Sequence, residues 1–472
     1  MTAEKRSGPN GRAHGKEREH AVVIGAGFAG LLAARVLGDF YEQVTIVERD
    51  RLPERPSSRK GVPQASHVHT LFPRGRLIVE GLFPGIQSEV LGAGVRIVDP
   101  CQDFAWLGPF GWGLRFPSSL GMYMSSRDLL EWCVRNRLAR QPRIAFLDGC
   151  DVARLLVSSD QKQVAGVVLR ERSGSDAGAP ERELAASLVI DASGRGSQAP
   201  RWLEGAGYPK PIELVVDASQ GYSSRIYRQP PNYGRSWQIL YVQQAPPDCT
   251  RGGIMTPIEQ NQLLVTLAGT GGDVPPGDEQ GFLEFARSLR SSALYETIKN
   301  AAPLSPITKS RSTNNRRRLY EKLSPALEGF VVVGDAFCAF NPVYGQGIST
   351  AALGAMALQQ CLERGPERLA GRVHAKTARI IGGPWTLATG EDLRVRGATG
   401  ARPPGLSVIH RYLDHAQALG TRSQAMRQAL IEVFTMMKPL PSLFRPSVSG
   451  RIVSNWVAGK PLAIVEAQGV GA

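Results

Sequence analysis

Apolar positions fall into short blocks whose spacing changes from one region of the chain to the next. Ala21–Ile24 is a compact apolar run rich in β-branched residues, followed by glycines and then by Phe28–Leu37, where apolar residues recur at helical spacing. Val44–Val47 is a second apolar block, so the folded region is expected to open with a β-α-β unit. Arg127–Leu138 reads as an amphipathic helix, with Ser125 or Ser126 as its N-cap. Leu188–Ile190 and Phe330–Val333 look like short buried strands, each running into a glycine-containing turn. Between about Tyr208 and Ser312 the spacing changes to alternation. Ser223–Tyr227, Trp237–Val242 and Gln262–Ala268 predict antiparallel strands with one covered face. Gly271–Pro276 is a turn-rich break and Glu279–Leu289 returns to helical spacing. Beyond Gly365 the pattern is mostly helical, broken by prolines at 403, 404, 439, 441 and 446, and no internal repeat is visible.

Composition narrows the class. The 472 residues exceed the ~250–300 that one core usually fills, which points to two packed domains with additional structure. No apolar run approaches the ~18–20 residues of a membrane span. The first twenty residues are charged and contain no secretion signal, so a floppy tail on a cytoplasmic protein is expected. Cys101, Cys133, Cys150, Cys249, Cys338 and Cys361 are scattered, which favours buried reduced thiols and no metal site. The net charge of +14 raises nucleic-acid binding as an option. The basic residues are spread along the chain, however. The densest run, Arg316–Arg318, sits beside Asn314 and Asn315 just before an expected strand. A solvated surface with cofactor-phosphate sites accounts for the charge without nucleic acid.

Two glycine-rich segments carry the chemistry. Gly25-Ala26-Gly27-Phe28-Ala29-Gly30 lies between a strand and a helix, and Glu48 falls about twenty residues on, at the end of the second strand. Gly25 permits the tight turn, Gly27 lets the backbone approach a pyrophosphate, and Gly30 allows close packing. The helix N-terminus presents free N–H groups to the phosphates. Glu48 is placed for ribose hydroxyls, and Arg49 beside it is a further candidate contact. This motif alone does not separate FAD from NAD. Gly334-Asp335, about three hundred residues later, follows another short strand, which suits a longer ligand such as FAD. Asp335 would bond ribityl hydroxyls; its alternative role is a helix cap. Asn341-Pro342-Val343-Tyr344-Gly345-Gln346-Gly347 then leads into Ile348–Leu358, a helix rich in small residues whose first amides would face a flavin ring.

These segments resemble the class A flavoprotein monooxygenases, the hydroxybenzoate-hydroxylase-like group. The likeness covers the glycine fingerprint, the Arg127 helix, the Asp191-Ala192-Ser193-Gly194 turn with Arg195-Gly196-Ser197, and Gly334-Asp335 with Pro342-x-x-Gly345-x-Gly347. It implies an α/β fold: a Rossmann-like FAD-binding domain (20–95, 121–204 and 313–370), a mixed or antiparallel β-sheet substrate domain (96–120 and 205–312), and a C-terminal helical region (371–472). It also implies that Arg127 contacts the FAD diphosphate. The middle motif is usually Asp-Gly in that family, and Ser193-Gly194 departs from it. Arg59-Lys60-Gly61-Val62-Pro63-Gln64, His67-Val68-His69, Asn315–Arg318 and Phe340–Gly347 further resemble bacterial epoxidases of polyether-antibiotic biosynthesis, which act on polyene polyketides. By that likeness Arg59 contacts the FAD phosphates, while Gln64, His67 and His69 lie near the flavin. The implied chemistry is reduction of FAD by NAD(P)H, capture of O₂ as a flavin C4a-hydroperoxide, and oxygen transfer to an apolar substrate. No catalytic acid or base is assigned, and no second dinucleotide fingerprint is present, so NAD(P)H docks transiently or a separate flavin reductase supplies electrons. Trp106, Phe110, Trp112, Tyr227 and Trp237 are candidate pocket walls, with ordinary core packing as the alternative. Aromatic hydroxylase, prenyl reductase and halogenase remain the competing activities, although the halogenase W-x-W-x-I-P element is absent.

Overall fold

In a computed structural model of the chain, the described residues are 18–172, 180–231, 233, 236–311, 313–458 and 462. Most of the expected N-terminal tail therefore lies outside the described residues. The short β-branched blocks assemble as one parallel sheet in the order Phe330–Val332, Leu188–Asp191, His20–Ile24, Gln43–Glu48, Ile144–Asp148. Helices Phe28–Leu37, Arg127–Ala139 and Gly347–Leu362 contribute to the apolar core on one face of this sheet. Ser126 caps the Arg127 helix by accepting from the Leu129 N–H at 3.2 Å. Both faces of such a sheet are buried, which explains why its strands read as solid apolar runs. The strand ends Ile24, Glu48, Asp191 and Val332 reach the same edge, where open α/β sheets bind their ligands.

The alternating region forms a seven-stranded sheet in the order Thr308–Ser310, Gly221–Arg228, Gln262–Gly269, Arg251–Ile258, Ile239–Val242, Phe104–Gly108, Gly111–Trp112. Its period of two sorts side chains to opposite faces. Leu240, Val242, Ala105, Leu107 and Met255 enter the core shared with helices Glu279–Arg287 and Ala293–Ile298. Ile239, Tyr241, Phe104, Trp106 and Ile254 point to the other face, towards the first domain and the C-terminal helices. One pairing differs from the antiparallel expectation: Ile239–Val242 runs parallel to Phe104–Gly108. Phe104 lies in an earlier excursion of the chain, so no hairpin constrains the direction.

Two further expectations are corrected. Asn315–Arg318 is itself a strand, between Glu213–Val216 and Cys338–Ala339, rather than a loop before one. Its arginines are largely enclosed and paired, Arg316 and Arg318 with Glu213 and Arg317 with Glu321, so the run forms no basic patch. In the C-terminal region Pro446 opens a helix, Pro446–Val457, instead of breaking one, because the first helical turn needs no N–H from it. Five of the six cysteines are buried and Cys249 is half-buried, all as free thiols. Among the described residues no helix is long and apolar enough to cross a membrane.

Candidate functional site

The two glycine segments meet at the sheet edge. Gly25 has φ +100°, and a Cβ there would lie 2.7 Å from the Ala192 carbonyl oxygen. Gly334, at φ +60°, packs so closely on the first helix that its Cβ would come within 2.6 Å of the Ala29 methyl group. That contact, with the strand order, brings positions three hundred residues apart to opposite walls of one cleft. Gly25, Gly27, Glu48, Arg49, Arg127, Asp335, Pro342, Gly345 and Gly347 all line it, together with Gln64 and His69. Gly30 does not line the cleft. A Cβ at Gly30 would collide with the Gly25 carbonyl, so this glycine seats the helix under the turn.

Each wall presents groups suited to one end of a dinucleotide. A Cβ at Gly27 would meet nothing nearer than an Arg127 nitrogen at 3.8 Å, so the cleft floor is open there. Glu48 accepts from the Ala26 N–H at 2.8 Å through one oxygen and from the Asp50 N–H at 3.0 Å through the other. Oε1 retains a second lone pair for a hydroxyl, whereas Oε2 is also approached by Arg59. Asp335, half-buried, accepts no hydrogen bond among the described residues. Burial raises its pKa, opposed by the charges of Arg195, Arg127 and Arg316. Helix Gly347–Leu362 begins beside it without a side-chain cap, leaving its first N–H groups directed at the cleft. Gln346 is 2% exposed, borders the cleft, and its Oε1 has no hydrogen-bond partner among the described residues. An orphaned acceptor, uncapped amides, an unengaged carboxylate and an open glycine floor fit an elongated cofactor with phosphates at one end and a polar ring at the other.

Arg59 is placed differently from its expectation. It lies behind the wall, 8% exposed, donating to the Ala26 carbonyl at 3.3 Å and to Glu131, with its other terminal nitrogen 3.1 Å from Glu48. Burial works against its charge, yet Glu131 and Glu48 more than compensate and its pKa rises. Two carboxylates capture this guanidinium, so it braces Glu48 and the glycine turn instead of facing the cleft. Asp191 is likewise internal, accepting from Ser193 and Ser197 at 2.5 Å, and Arg195 ties Asn314 to the Phe340 carbonyl.

A second, apolar cavity of about 70 Å³ adjoins the cleft and shares Val68, Thr70, Pro342 and Gly345 with it. Phe72, Phe104, Met122, Tyr222, Ile239, Tyr241, Ile254 and Phe434 are among its walls. His67 belongs to this cavity. Its Nδ1 meets the Ser224 hydroxyl at 2.8 Å, its Nε2 has no partner, and burial lowers its pKa to about 4. His69 is held by the His67 carbonyl at 2.9 Å and depressed to about 3 by burial and by Arg127. Of the five aromatic candidates, Trp106 and Phe110 line a third, outer cavity. Tyr227, Trp112 and Trp237 pack in or against the sheet–helix core instead.

The loop dividing these cavities rests on a polar network that sequence reasoning missed. Asp392 accepts from Asn315 at 2.7 Å, from the Tyr344 hydroxyl at 2.6 Å and from Asn341 at 3.2 Å. Asn341 also donates to Gln220 at 2.8 Å, and Tyr222 donates to Asn341 while accepting from the Val343 N–H at 2.9 Å. Burial pushes the Asp392 carboxyl up to about 7, against the lowering effect of its bonds from Tyr344 and Asn341. These residues come from four separate segments, and no local motif announces them.

This architecture is that of the flavin-dependent monooxygenases. No family model matches the chain. It is 32% identical over 460 residues to Protein Rv3254 of Mycobacterium tuberculosis, covering 93% of this chain and 94% of that one. It is also 24% identical to kynurenine 3-monooxygenase of Salinispora arenicola, over 95% of each chain. Among solved structures, the flavin-dependent brominase Bmp2 superposes with a TM-score of 0.66 at 14% identity, covering 93% of this chain and 100% of that chain. PqsL, a probable FAD-dependent monooxygenase from Pseudomonas aeruginosa, gives 0.59 at 16% identity, over 80% and 98%. The chain belongs to the same family as Protein Rv3254, and its fold is the one these flavin-dependent enzymes share.

Proposed function

We propose that this protein is an FAD-dependent monooxygenase that inserts one oxygen atom from O₂ into an apolar, polyketide-like substrate, by epoxidation of an alkene. The observation that carries this reading is the inner cavity: it opens against the Pro342–Gly347 side of the cofactor cleft, and its titratable groups are held neutral. Burial lowers the pKa of His67 and raises those of Tyr222, Tyr241 and Tyr344, and no carboxylate borders the cavity among the described residues. A phenol hydroxylase profits from a base that takes the ring hydroxyl proton. An alkene reacts without losing a proton, so a neutral, dry pocket suffices.

FAD, when bound, supplies the reduced ring through which O₂ is activated. The protein's share is positioning and exclusion of water. Gly25, Gly27 and the Arg127 side chain would take the diphosphate, Glu48 the ribose and Asp335 the ribityl chain. The amides opening helix Gly347–Leu362 give positive potential at the ring end. Phe72, Phe104, Tyr241 and Phe434 hold the substrate in a water-poor space. Electrons would come from NAD(P)H docking transiently, or through a separate reductase.

The test is turnover of purified holoprotein with NADPH or NADH under ¹⁸O₂, offered unsaturated and phenolic substrates. The expected product gains one labelled oxygen on an alkene. Unlabelled, saturated product would show a reductase, and halide-dependent product a halogenase; either overturns the reading.

A further inference from the structure

Four arginines among the described residues are less than a tenth exposed: Arg59, Arg135, Arg318 and Arg427. The first three have oxygen partners: Arg59 has Glu48 and Glu131, Arg135 has the Pro53 carbonyl, and Arg318 has Glu213. Among the described residues Arg427 has no hydrogen bond or ion pair from its side chain, and its Nε is fully enclosed without a partner. Its guanidinium lies 4.8 Å from the centroid of the Trp106 ring, a cation–π contact that offsets part of the lost hydration. It also lies over Gly113, where a Cβ would collide with it, so the backbone leaves room for this side chain.

The guanidinium borders the outer cavity, about 140 Å³, which shares Tyr241, Val343, Tyr344 and Phe434 with the inner one. Acidic side chains of this region are already engaged. Glu391, which also borders this cavity, pairs with Arg394 at 3.1 Å, and Glu432 pairs with Lys438 at 2.6 Å. The Cys101 thiol, raised by burial, stays protonated. Burial lowers the pKa of Arg427 itself only to about 10, so it remains cationic at neutral pH. A buried cation without a counter-charge is strongly disfavoured unless another molecule supplies the anion, and a planar guanidinium is the group best matched to a carboxylate.

We propose that Arg427, backed by Trp106, receives a carboxylate of the substrate, so that the ligand is an amphipathic acid whose apolar reactive portion fills the inner cavity. This deepens the monooxygenase reading and rests on it for the word substrate. Arg427, Leu430 and Phe434 lie at i, i+3 and i+7 of helix Gln424–Phe434, so one helix face carries both the anion contact and an apolar wall of the reaction cavity. Helix Gln424–Phe434 thereby measures the distance between the acid and the reacting carbon.

The experiment uses FAD-loaded enzyme without reductant and two matched pairs: 9-decenoic acid with its methyl ester, and 5-phenylpentanoic acid with its methyl ester. Binding is read by calorimetry and by perturbation of the flavin absorbance. The acids are expected to bind at least ten-fold more tightly than the esters. Arg427→Met is expected to abolish that preference while leaving ester affinity within two-fold, and Arg427→Lys to retain part of it. Acids and esters binding alike to the wild type, no binding by any of the four, or an acid preference that survives in Arg427→Met would overturn the proposal. If Arg427→Met does not fold, the wild-type ratio and the lysine variant decide. Because no oxygen is transferred in this assay, an acid preference in an enzyme that never oxygenates anything separates this inference from the monooxygenase reading.

Discussion

Arg59 and Arg427 are equally buried, each 8% exposed, but their surroundings are opposite. Around Arg59 the protein has closed its own electrostatics: Glu48 and Glu131 neutralise it, and the Ala26 carbonyl ties it to the glycine turn. Around Arg427 the protein supplies an aromatic face and an empty space. The first arrangement makes a rigid cradle, which suits the proposed cofactor site. The second leaves a polar demand unmet until a ligand arrives, which suits the end of the molecule that must choose between substrates. The support behind the cleft is self-sufficient, whereas the outer cavity leaves its cation unanswered among the described residues.

The comparison can be broken most sharply by paired truncations to methionine. Arg59→Met strands two carboxylates and should cost about 3–5 kcal/mol of unfolding free energy. Arg427→Met removes an unpaired charge and should cost under about 1 kcal/mol, or stabilise. Urea unfolding measures both, and equal costs would refute the contrast. Next in size is Gly27→Val. Its Cβ meets open space in the protein, so the melting temperature should hold. The cleft floor would be blocked, however, and FAD affinity should fall about 100-fold, near 3 kcal/mol. Unchanged FAD affinity would contradict the role given to that floor.

An effect of comparable size lies in the network beneath the dividing loop. The Asp392 carboxyl titrates near 7 in the folded protein and near ~3.9 when unfolded. Between about pH 4 and pH 7 the folded state therefore holds a proton that the unfolded state lacks, and linkage requires stability to fall as pH rises through that window. Asp392→Asn should flatten this part of the profile. Urea midpoints at pH 4.5 and 7.5 for both proteins test it, and parallel slopes would count against the assignment.

The cofactor wall was legible because its physics is local. Gly25, Gly27, Gly30 and Glu48 are constrained by one turn and one β-α-β unit, and Gly334 and Gly345 by positive φ in short turns, so spacing alone exposes them. Arg59 shows the limit of that legibility. The chain position was conspicuous, but its direction depended on Glu131, seventy-two residues away, which no spacing rule connects to it. The apolar cavity is harder still, since Phe72, Phe104, Tyr241 and Phe434 converge only through tertiary packing. The i, i+3, i+7 spacing of Arg427, Leu430 and Phe434 lies inside the helical pattern beyond Gly365, where nothing singles it out. What the sequence does not contain is the absence of a partner for Arg427, which only the assembled neighbourhood reveals.

The decisive measurement concerns whether one ligand spans both glycine segments. Titration of apoprotein with FAD and separately with ADP, in wild type and in Asp335→Ala, distinguishes the two ends. Asp335→Ala should weaken FAD binding about ten-fold or more while leaving ADP binding unchanged. Undiminished FAD affinity, or an equal loss for ADP, would place Asp335 away from the ribityl chain and contradict a cofactor stretched from Gly25 to Gly347.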